Sequence, residues 1–199
     1  SYAHRLLICA ALSGGSSVVH GISKSDDILA TLDCIDALGT QDTLNNAVFP
    51  CRESGSTLRF FIPIALAFGG TAEFRGTQRL MERGISIYET LFAGRGISIS
   101  RSADAIKVSG RLKPGEFTLD GNVSSQFVTG LLFALPLLEG DSIIHVLPPV
   151  ESRKYIDITI DALRSFGVEI KEMEPNIFFV RGGQMYQTRD VEVEGDWSN

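Results

Sequence analysis

Apolar residues recur at helical spacing three times along the chain. Ala3, Leu6, Leu7, Ala10 and Ala11 follow an i, i+3, i+4, i+7, i+8 pattern. Leu58, Phe61, Ile62, Ala65 and Leu66 repeat it, and Phe127, Gly130, Leu131, Ala134 and Leu135 repeat it again, continuing to Leu138. Such spacing predicts helices with one face against a core. Pro63 and Pro136 fall inside the second and third of these and are expected to bend them without ending them. A turn and short strand follow each helix, at 14–20, 69–75 and 139–145. A second helix is then predicted over about 26–38, 81–93 and 152–166, followed by Gly39, Gly94 and Gly167, where a left-handed cap favours glycine. Hairpins come next, 97–100 with 105–109 and 168–172 with 177–180, and a last strand (117–119 or 191–193) leads to the next helix start.

The chain therefore reads as three similar units, about 1–53, 54–123 and 124–199, within one domain. Each unit runs helix, strand, helix and then two or three strands. The expected fold is α/β, with helices inside, mixed sheets outside and a pseudo-threefold axis relating the units. The first unit is short: only Thr40 to Glu53 separates its second helix from the next unit. Either strands have been lost there or residues are absent from the sequence, and the pattern alone leaves both open.

Composition narrows the functional classes. At 199 residues and 44% hydrophobic, the chain can bury a sizeable core. The longest apolar stretch, around Phe60 to Phe68, is too short for a membrane span, and no signal-peptide pattern opens the sequence, so cytoplasm is the expected location. A net charge of −6 argues against a nucleic-acid partner. Cys9, Cys34 and Cys51 have no metal-ligand spacing and are expected to be reduced structural thiols. Of the scattered histidines, His4, His20 and His145, the last two fall in predicted strands and are expected to be structural. No zinc pattern, P-loop or nucleophile elbow is present.

The helix starts carry the candidate chemistry. Ser1, the group Ser54, Gly55 and Ser56, and the pair Ser124 and Ser125 precede the three apolar helices, and Asp196 to Asn199 could begin a fourth. One serine per helix is explained by capping. The surplus in Gly-Ser-Thr (55–57) and Ser-Ser-Gln (124–126) gathers hydroxyls at the positive end of a helix dipole, which suits an anion. Arg5 lies four residues after Ser1, and Arg59 four after Gly55. Arg83 is placed at the beginning of the predicted helix 81–93, with Glu53 and Glu82 as possible ion-pair partners. Guanidinium forks match phosphate and carboxylate.

These residues resemble the EPSP synthase family. The resemblance is carried by Ser-Tyr-Ala-His-Arg (1–5), Glu-Ser-Gly-Ser-Thr-Leu-Arg-Phe (53–60), Met-Glu-Arg (81–83), Leu-Asp-Gly-Asn-Val-Ser-Ser-Gln-Phe (119–127), Tyr-Ile-Asp-Ile-Thr (155–159) and Glu-Gly-Asp-Trp-Ser-Asn (194–199), in order along the whole chain. It implies one lobe, made of three βαββαβ-type units, of a two-lobe enzyme with its active site in the cleft. The implied reaction transfers the enolpyruvyl group of phosphoenolpyruvate to the 5-hydroxyl of shikimate 3-phosphate, with no metal or organic cofactor. By motif, Ser1, Arg5, Ser56, Ser124, Ser125, Gln126, Ser152 and Tyr155 would bind shikimate 3-phosphate. Gly55, Arg83 and Gln126 would meet phosphoenolpyruvate, with Arg83 and Gln126 the catalytic candidates.

Two departures temper this. The family's catalytic lysine falls just before the residue matched by Ser1, and the second lobe lies outside these 199 residues. The chain by itself is therefore expected to be inactive. Its alternatives are a non-catalytic phosphometabolite-binding module, a lobe of a UDP-sugar enolpyruvyl transferase, or a relative of the RNA phosphate cyclases, against which the acidic balance counts.

Overall fold

A computed structural model describes residues 2–193. It begins with helix α1 (Tyr2–Leu12), strand β1 (Val18–His20) and α2 (Asp26–Leu38). There follow β2 (Leu44–Arg52), α3 (Gly55–Phe68), β3 (Gly70–Gly76), the short helices α4 (Gln78–Glu82) and α5 (Ser86–Phe92), β4 (Ser98–Arg101) and β5 (Ala105–Ser109). The last part holds β6 (Glu116–Asp120), α6 (Ser125–Ala134), a 3-10 turn (Leu135–Leu137), β7 (Ser142–Leu147), α7 (Arg153–Ser165), β8 (Lys171–Glu174), β9 (Ile177–Val180) and β10 (Asp190–Glu192). No helix among the described residues is long and apolar enough to cross a membrane.

Two four-stranded sheets share one strand order, β2-β3-β5-β4 and β6-β7-β9-β8. In each, the first pair is parallel and the hairpin is antiparallel. The strand before each apolar helix thus belongs to the sheet that follows it, so β2 joins the second sheet and β6 the third. The first sheet has two strands, with β1 parallel to β10. β10 stands to β1 as β2 does to β3, so the end of the described chain completes the sheet begun near its start. No hairpin accompanies this pair, because α2 passes into β2 through residues 39–43 alone.

β2 is a nine-residue strand in the segment where the sequence pattern gave no strand. Ala47, Phe49 and Cys51 alternate inward, but Asn46 adopts a positive φ of 50° and shifts the register, which breaks the period-two signal. α3 and α6 bury residues on every side, including Phe60, Phe61, Leu131 and Phe133, and they pack directly on each other. The helices are therefore inside. Each strand of the large sheets except the edge strands β4 and β8 turns alternate residues toward them.

The two prolines differ in effect. Pro63 remains inside α3. It cannot donate to the Arg59 carbonyl one turn earlier, and Tyr88 Oη donates to that carbonyl instead, at 2.6 Å. Gly130 makes room for this bridge: a Cβ there would stand 2.4 Å from Tyr88 Oη and 2.5 Å from the Arg59 carbonyl oxygen. Pro136, in contrast, ends α6 at Ala134, and the chain continues as the 3-10 turn. Tyr186 Oη donates to the Phe133 carbonyl there, at 2.6 Å, and the Gln184 N–H to that of Pro136, at 2.9 Å. The predicted helix 81–93 is likewise divided, because Arg83 turns extended (φ −69°, ψ 126°) before Gly84 and the chain restarts at Ser86.

All three cysteines are free and buried. Cys34 and Cys51 bring α2 and β2 together with their sulfurs 3.8 Å apart, a contact that, with burial, pushes the Cys34 thiol pKa up.

Candidate functional site

Five helices, α1, α2, α3, α6 and α7, point their first turns into one cleft of about 590 Å³. Its walls carry Arg5, Ser56, Ser124, Ser125, Gln126, Ser152 and Tyr155 from the sequence-predicted set. Residues from opposite ends of the described chain meet here, Ala3 and Val193 both lining the cleft. Converging helix N-termini bring first-turn backbone N–H groups and the positive ends of five dipoles to one place. Ser1, and the possible helix start at Asp196 to Asn199, lie outside the described residues.

Arg5 lies at the floor, 2% exposed. Its Nε donates to Thr159 Oγ1 at 2.7 Å, and its guanidinium lies over the rings of Phe60 and Tyr155, 5.4 and 5.8 Å from their centroids. Thr159 Oγ1 bonds in turn to the Tyr155 carbonyl and to Thr129 Oγ1, so the arginine is held in one orientation by α6 and α7. Beside it His4 is buried and bonded to Thr31 Oγ1, with Thr57 Oγ1 at 3.4 Å. Burial lowers the His4 pKa to about 3, so the imidazole is neutral at physiological pH.

The serines divide between capping and the cleft. Ser54 caps α3 by accepting from the Thr57 N–H at 3.2 Å, which leaves Ser56 on the cleft wall. Ser124 caps α6 through the Gln126 N–H at 3.3 Å, while Ser125, the first helical residue, is buried against the cleft. Ser152 precedes α7 in the left-handed region (φ 57°, ψ 33°) and makes no side-chain cap bond. A non-glycine residue there costs of order 1–3 kcal/mol, a strain that clusters at ligand sites.

Gly55 and Arg83 stand apart from this cleft. Arg83 lines a hollow of about 220 Å³ with Glu53, Thr77, Arg79 and Leu80. It follows the last residue of α4 and does not begin a helix as the sequence pattern suggested. Its guanidinium occupies the space over Gly55, where a Cβ would come within 3.0 Å of Nη1. Glu82 accepts from Gln78 Nε2, at 3.1 Å.

Arg59 joins the two regions. Its Nη1 donates to Gln126 Oε1 at 3.0 Å and its Nη2 to the Gly84 carbonyl at 3.3 Å, with the guanidinium 4.6 Å from the Phe127 ring centroid. Burial, and then the nearby charge of Arg83, lower its pKa. The pairing of Gly55 with Arg59 was legible as a four-residue spacing, but its reach to Gln126 was not. Sequence reasoning also missed Ser23, Ser25 and Asp27 on the cleft wall. Their cluster at the start of α2 reads as ordinary capping, and Ser25 does accept from the Ile28 N–H at 3.3 Å. No group of three or more metal-ligating side chains occurs among the described residues.

Comparison with known proteins gives this arrangement a family. The family model for EPSP synthase (3-phosphoshikimate 1-carboxyvinyltransferase) matches residues 1–199. The 3-phosphoshikimate 1-carboxyvinyltransferase of Clostridium beijerinckii is 43% identical over 222 residues, taking in all of this chain and 51% of its own length. That of Clostridioides difficile is 40% identical, again over the whole chain and 52% of the relative. The chain thus spans about half the length of the curated relatives it matches. Among solved structures, an EPSP synthase from Acinetobacter baumannii superposes with a TM-score of 0.77 at 20% identity, over 96% of this chain and 47% of that one, a likeness of fold. The chain belongs to the EPSP synthase family.

Proposed function

We propose that these 199 residues form the shikimate 3-phosphate-binding wall of a 3-phosphoshikimate 1-carboxyvinyltransferase. The observation that carries this reading is the convergence of five helix N-termini, with Arg5 at the floor, on one cleft. Ser124 and Ser125 offer hydroxyls and first-turn N–H groups to the phosphate, Ser152 adds a hydroxyl not used in capping, and Tyr155 and Ser56 border the ring. Arg5 supplies the fixed positive charge. Arg83, over Gly55, takes the phosphoenolpyruvate charges, and Gln126, held by Arg59, lies between the substrates. The reaction joins the enolpyruvyl carbon to the 5-hydroxyl oxygen and releases phosphate, and it asks nothing of a metal or organic cofactor.

Positioning and charge stabilisation require both walls of such a cleft. The other wall belongs to a second lobe, which is the expected partner. The 199 residues alone bind shikimate 3-phosphate weakly and do not turn it over. A cytoplasmic location accompanies the reading, because both substrates are charged and do not cross bilayers unaided. The family match along the whole chain disfavours a UDP-sugar enolpyruvyl transferase.

A titration with shikimate 3-phosphate, followed by amide NMR, tests the proposal. Shifts should concentrate at 124–126, 152–155 and the start of α1. No perturbation at millimolar ligand, or shifts confined to other faces, would remove the substrate assignment.

A further inference from the structure

α7 starts without the cap that α2, α3 and α6 carry. Ser25, Ser54 and Ser124 each accept from a backbone N–H of the helix they precede, at 3.3, 3.2 and 3.3 Å. Ser152 makes no such bond and adopts a left-handed φ of 57°. A non-glycine residue stays in that region only where its surroundings over-determine it, and a serine that does not cap leaves the first turn of its helix less well fixed. At α7 both tasks fall to the next side chain along.

Arg153 is the first residue of α7. Its Nε donates to Asp157 Oδ1 at 3.0 Å, one turn along the helix. Nη1 donates to Asn176 Oδ1 at 2.7 Å and to Glu172 Oε1 at 3.1 Å, and Nη2 donates to Glu172 Oε2. The guanidinium lies 5.0 Å from the ring centroid of Phe178, which is fully buried and pairs with Glu172 across β8 and β9. The fork is therefore inserted between α7 and the inner face of the β8–β9 hairpin. The turn of that hairpin is itself locked. Glu172 Oε1 accepts from the Asn176 N–H at 3.1 Å, and the Asn176 carbonyl accepts from the Val146 N–H of β7 at 2.9 Å. One planar side chain with five donors in a fixed fork thus ties the start of α7 to β8 and, through Asn176, to β7.

We propose that Arg153 is a positioning residue for the substrate: it clamps the first turn of α7 to the hairpin, so that the Ser152 hydroxyl is presented to the ligand and not spent on the helix. This rests on the shikimate 3-phosphate reading of the cleft. The same turn places Tyr155 on the cleft wall, and the Tyr155 carbonyl accepts from Thr159 Oγ1, which accepts in turn from Arg5 Nε at 2.7 Å. A shift of the turn therefore moves Ser152, Tyr155 and the seat of Arg5 together. All three guanidinium nitrogens of Arg153 are engaged by Asp157, Glu172 and Asn176, and Arg153 does not line the cleft. It acts through the turn it holds and not by touching the phosphate. Charge and position make opposite predictions at Glu172. Removing a carboxylate would favour an anionic ligand by charge alone, whereas loosening the clamp disfavours it.

Calorimetric titration of the 199-residue chain with shikimate 3-phosphate, beside the Ser152 Cα and Cβ chemical shifts of the free protein, tests this. Glu172→Gln and Asn176→Gly each remove one partner of the fork, and glycine accepts the left-handed φ of 64° at position 176. Each should weaken binding about fivefold, the scale of one hydrogen bond, and displace the Ser152 shifts from a position remote in sequence. Arg153→Lys keeps the charge but loses the fork, and should weaken binding about tenfold. Combined with Glu172→Gln it should cost less than the two effects added, because a single clamp is lost either way. Tighter binding by Glu172→Gln, or wild-type affinity in Arg153→Lys, would overturn the proposal by showing that charge alone acts. A lowered thermal midpoint at unchanged affinity would also overturn it and leave Arg153 a stability residue. Should the wild-type chain bind no shikimate 3-phosphate, the substrate reading fails and the clamp is decided by Ser152. Displaced shifts in Glu172→Gln and Asn176→Gly uphold it, and wild-type shifts in both overturn it.

Discussion

His4 borders the proposed substrate cleft, yet its chemistry is structural. Its folded pKa of about 3, lowered by burial, lies below the ordinary 6.5. Between those values the unfolded chain binds the extra proton, so the neutral-histidine contribution is fully present above about pH 6.5 and is lost as pH falls toward 3. The slope attributable to this residue reaches about 1.4 kcal/mol per pH unit. Denaturant titrations at pH 7, 5.5 and 4.5 should show the loss, and a His4→Gln variant should show a shallower acid slope. An identical slope in both proteins would mean that other groups carry the acid sensitivity. At Ser125 the expectation concerns ligand. Ser125→Ala removes one hydroxyl at a buried helix start and should weaken shikimate 3-phosphate binding by about 1.5–3 kcal/mol, the range for a hydrogen bond to a charged group. Calorimetry measures this, with the thermal midpoint as the control for folding. The serine-rich helix starts were visible in the sequence. The left-handed turn at Ser152, and the freedom of its side chain from capping, were not, because they depend on how β7 delivers the chain to α7.

At the scale of elements, the α3–α6 contact is fixed by a bridge from a third helix. Pro63 leaves the Arg59 carbonyl without its helical donor, Tyr88 from α5 replaces that donor, and Gly130 on α6 admits the Tyr88 hydroxyl. Gly130→Ala puts a Cβ 2.5 Å from the Arg59 carbonyl oxygen, and backbone cannot swing aside as a side chain can. The variant should lose about 1–3 kcal/mol, read as a lower denaturant midpoint at an unchanged m-value. Because Arg59 is also the residue that grips Gln126, the same variant should disturb the Gln126 side-chain amide resonances. A wild-type midpoint would show that α6 can shift without cost. The positions of the apolar helices were legible in their period. Gly130 was read there as one more apolar site, since only the crossing of two helices reveals what a Cβ would strike. α4 and α5 were read as one helix because Arg83 and Gly84 do not interrupt the apolar count, although they interrupt the backbone.

At the scale of the molecule, five helix starts taken from distant parts of the sequence face one cleft, and the chain corresponds to about half of its relatives. Mixed with shikimate 3-phosphate and phosphoenolpyruvate, the 199-residue chain should release no phosphate above the uncatalysed background, while still giving the shifts expected from one wall. Steady phosphate release would contradict the need for a second wall. The two-stranded β1–β10 sheet also bears on stability. It joins residues 18–20 to 190–192 without the hairpin that widens the other two sheets. Its amides should exchange with solvent faster than those of β3 or β7, as expected for an element with few buried contacts; equal protection would show the short sheet to be as well held as the long ones.

The sequence by itself determined the apolar faces, the repeated helix–strand order, the surplus of hydroxyls at helix starts and, through its motifs, the family. These are local, since a 3.6-residue period and a capping preference act within one or two turns. Tertiary structure alone decided the rest. It placed β10 beside β1, brought Arg59 to Gln126 and set Arg83 over Gly55. It also gathered Ser23, Ser25 and Asp27 into the cleft and set Arg153 between α7 and the β8–β9 hairpin. Each of these depends on pairs far apart in the chain, and their meeting is fixed by how the sheets and helices pack, which no local pattern records.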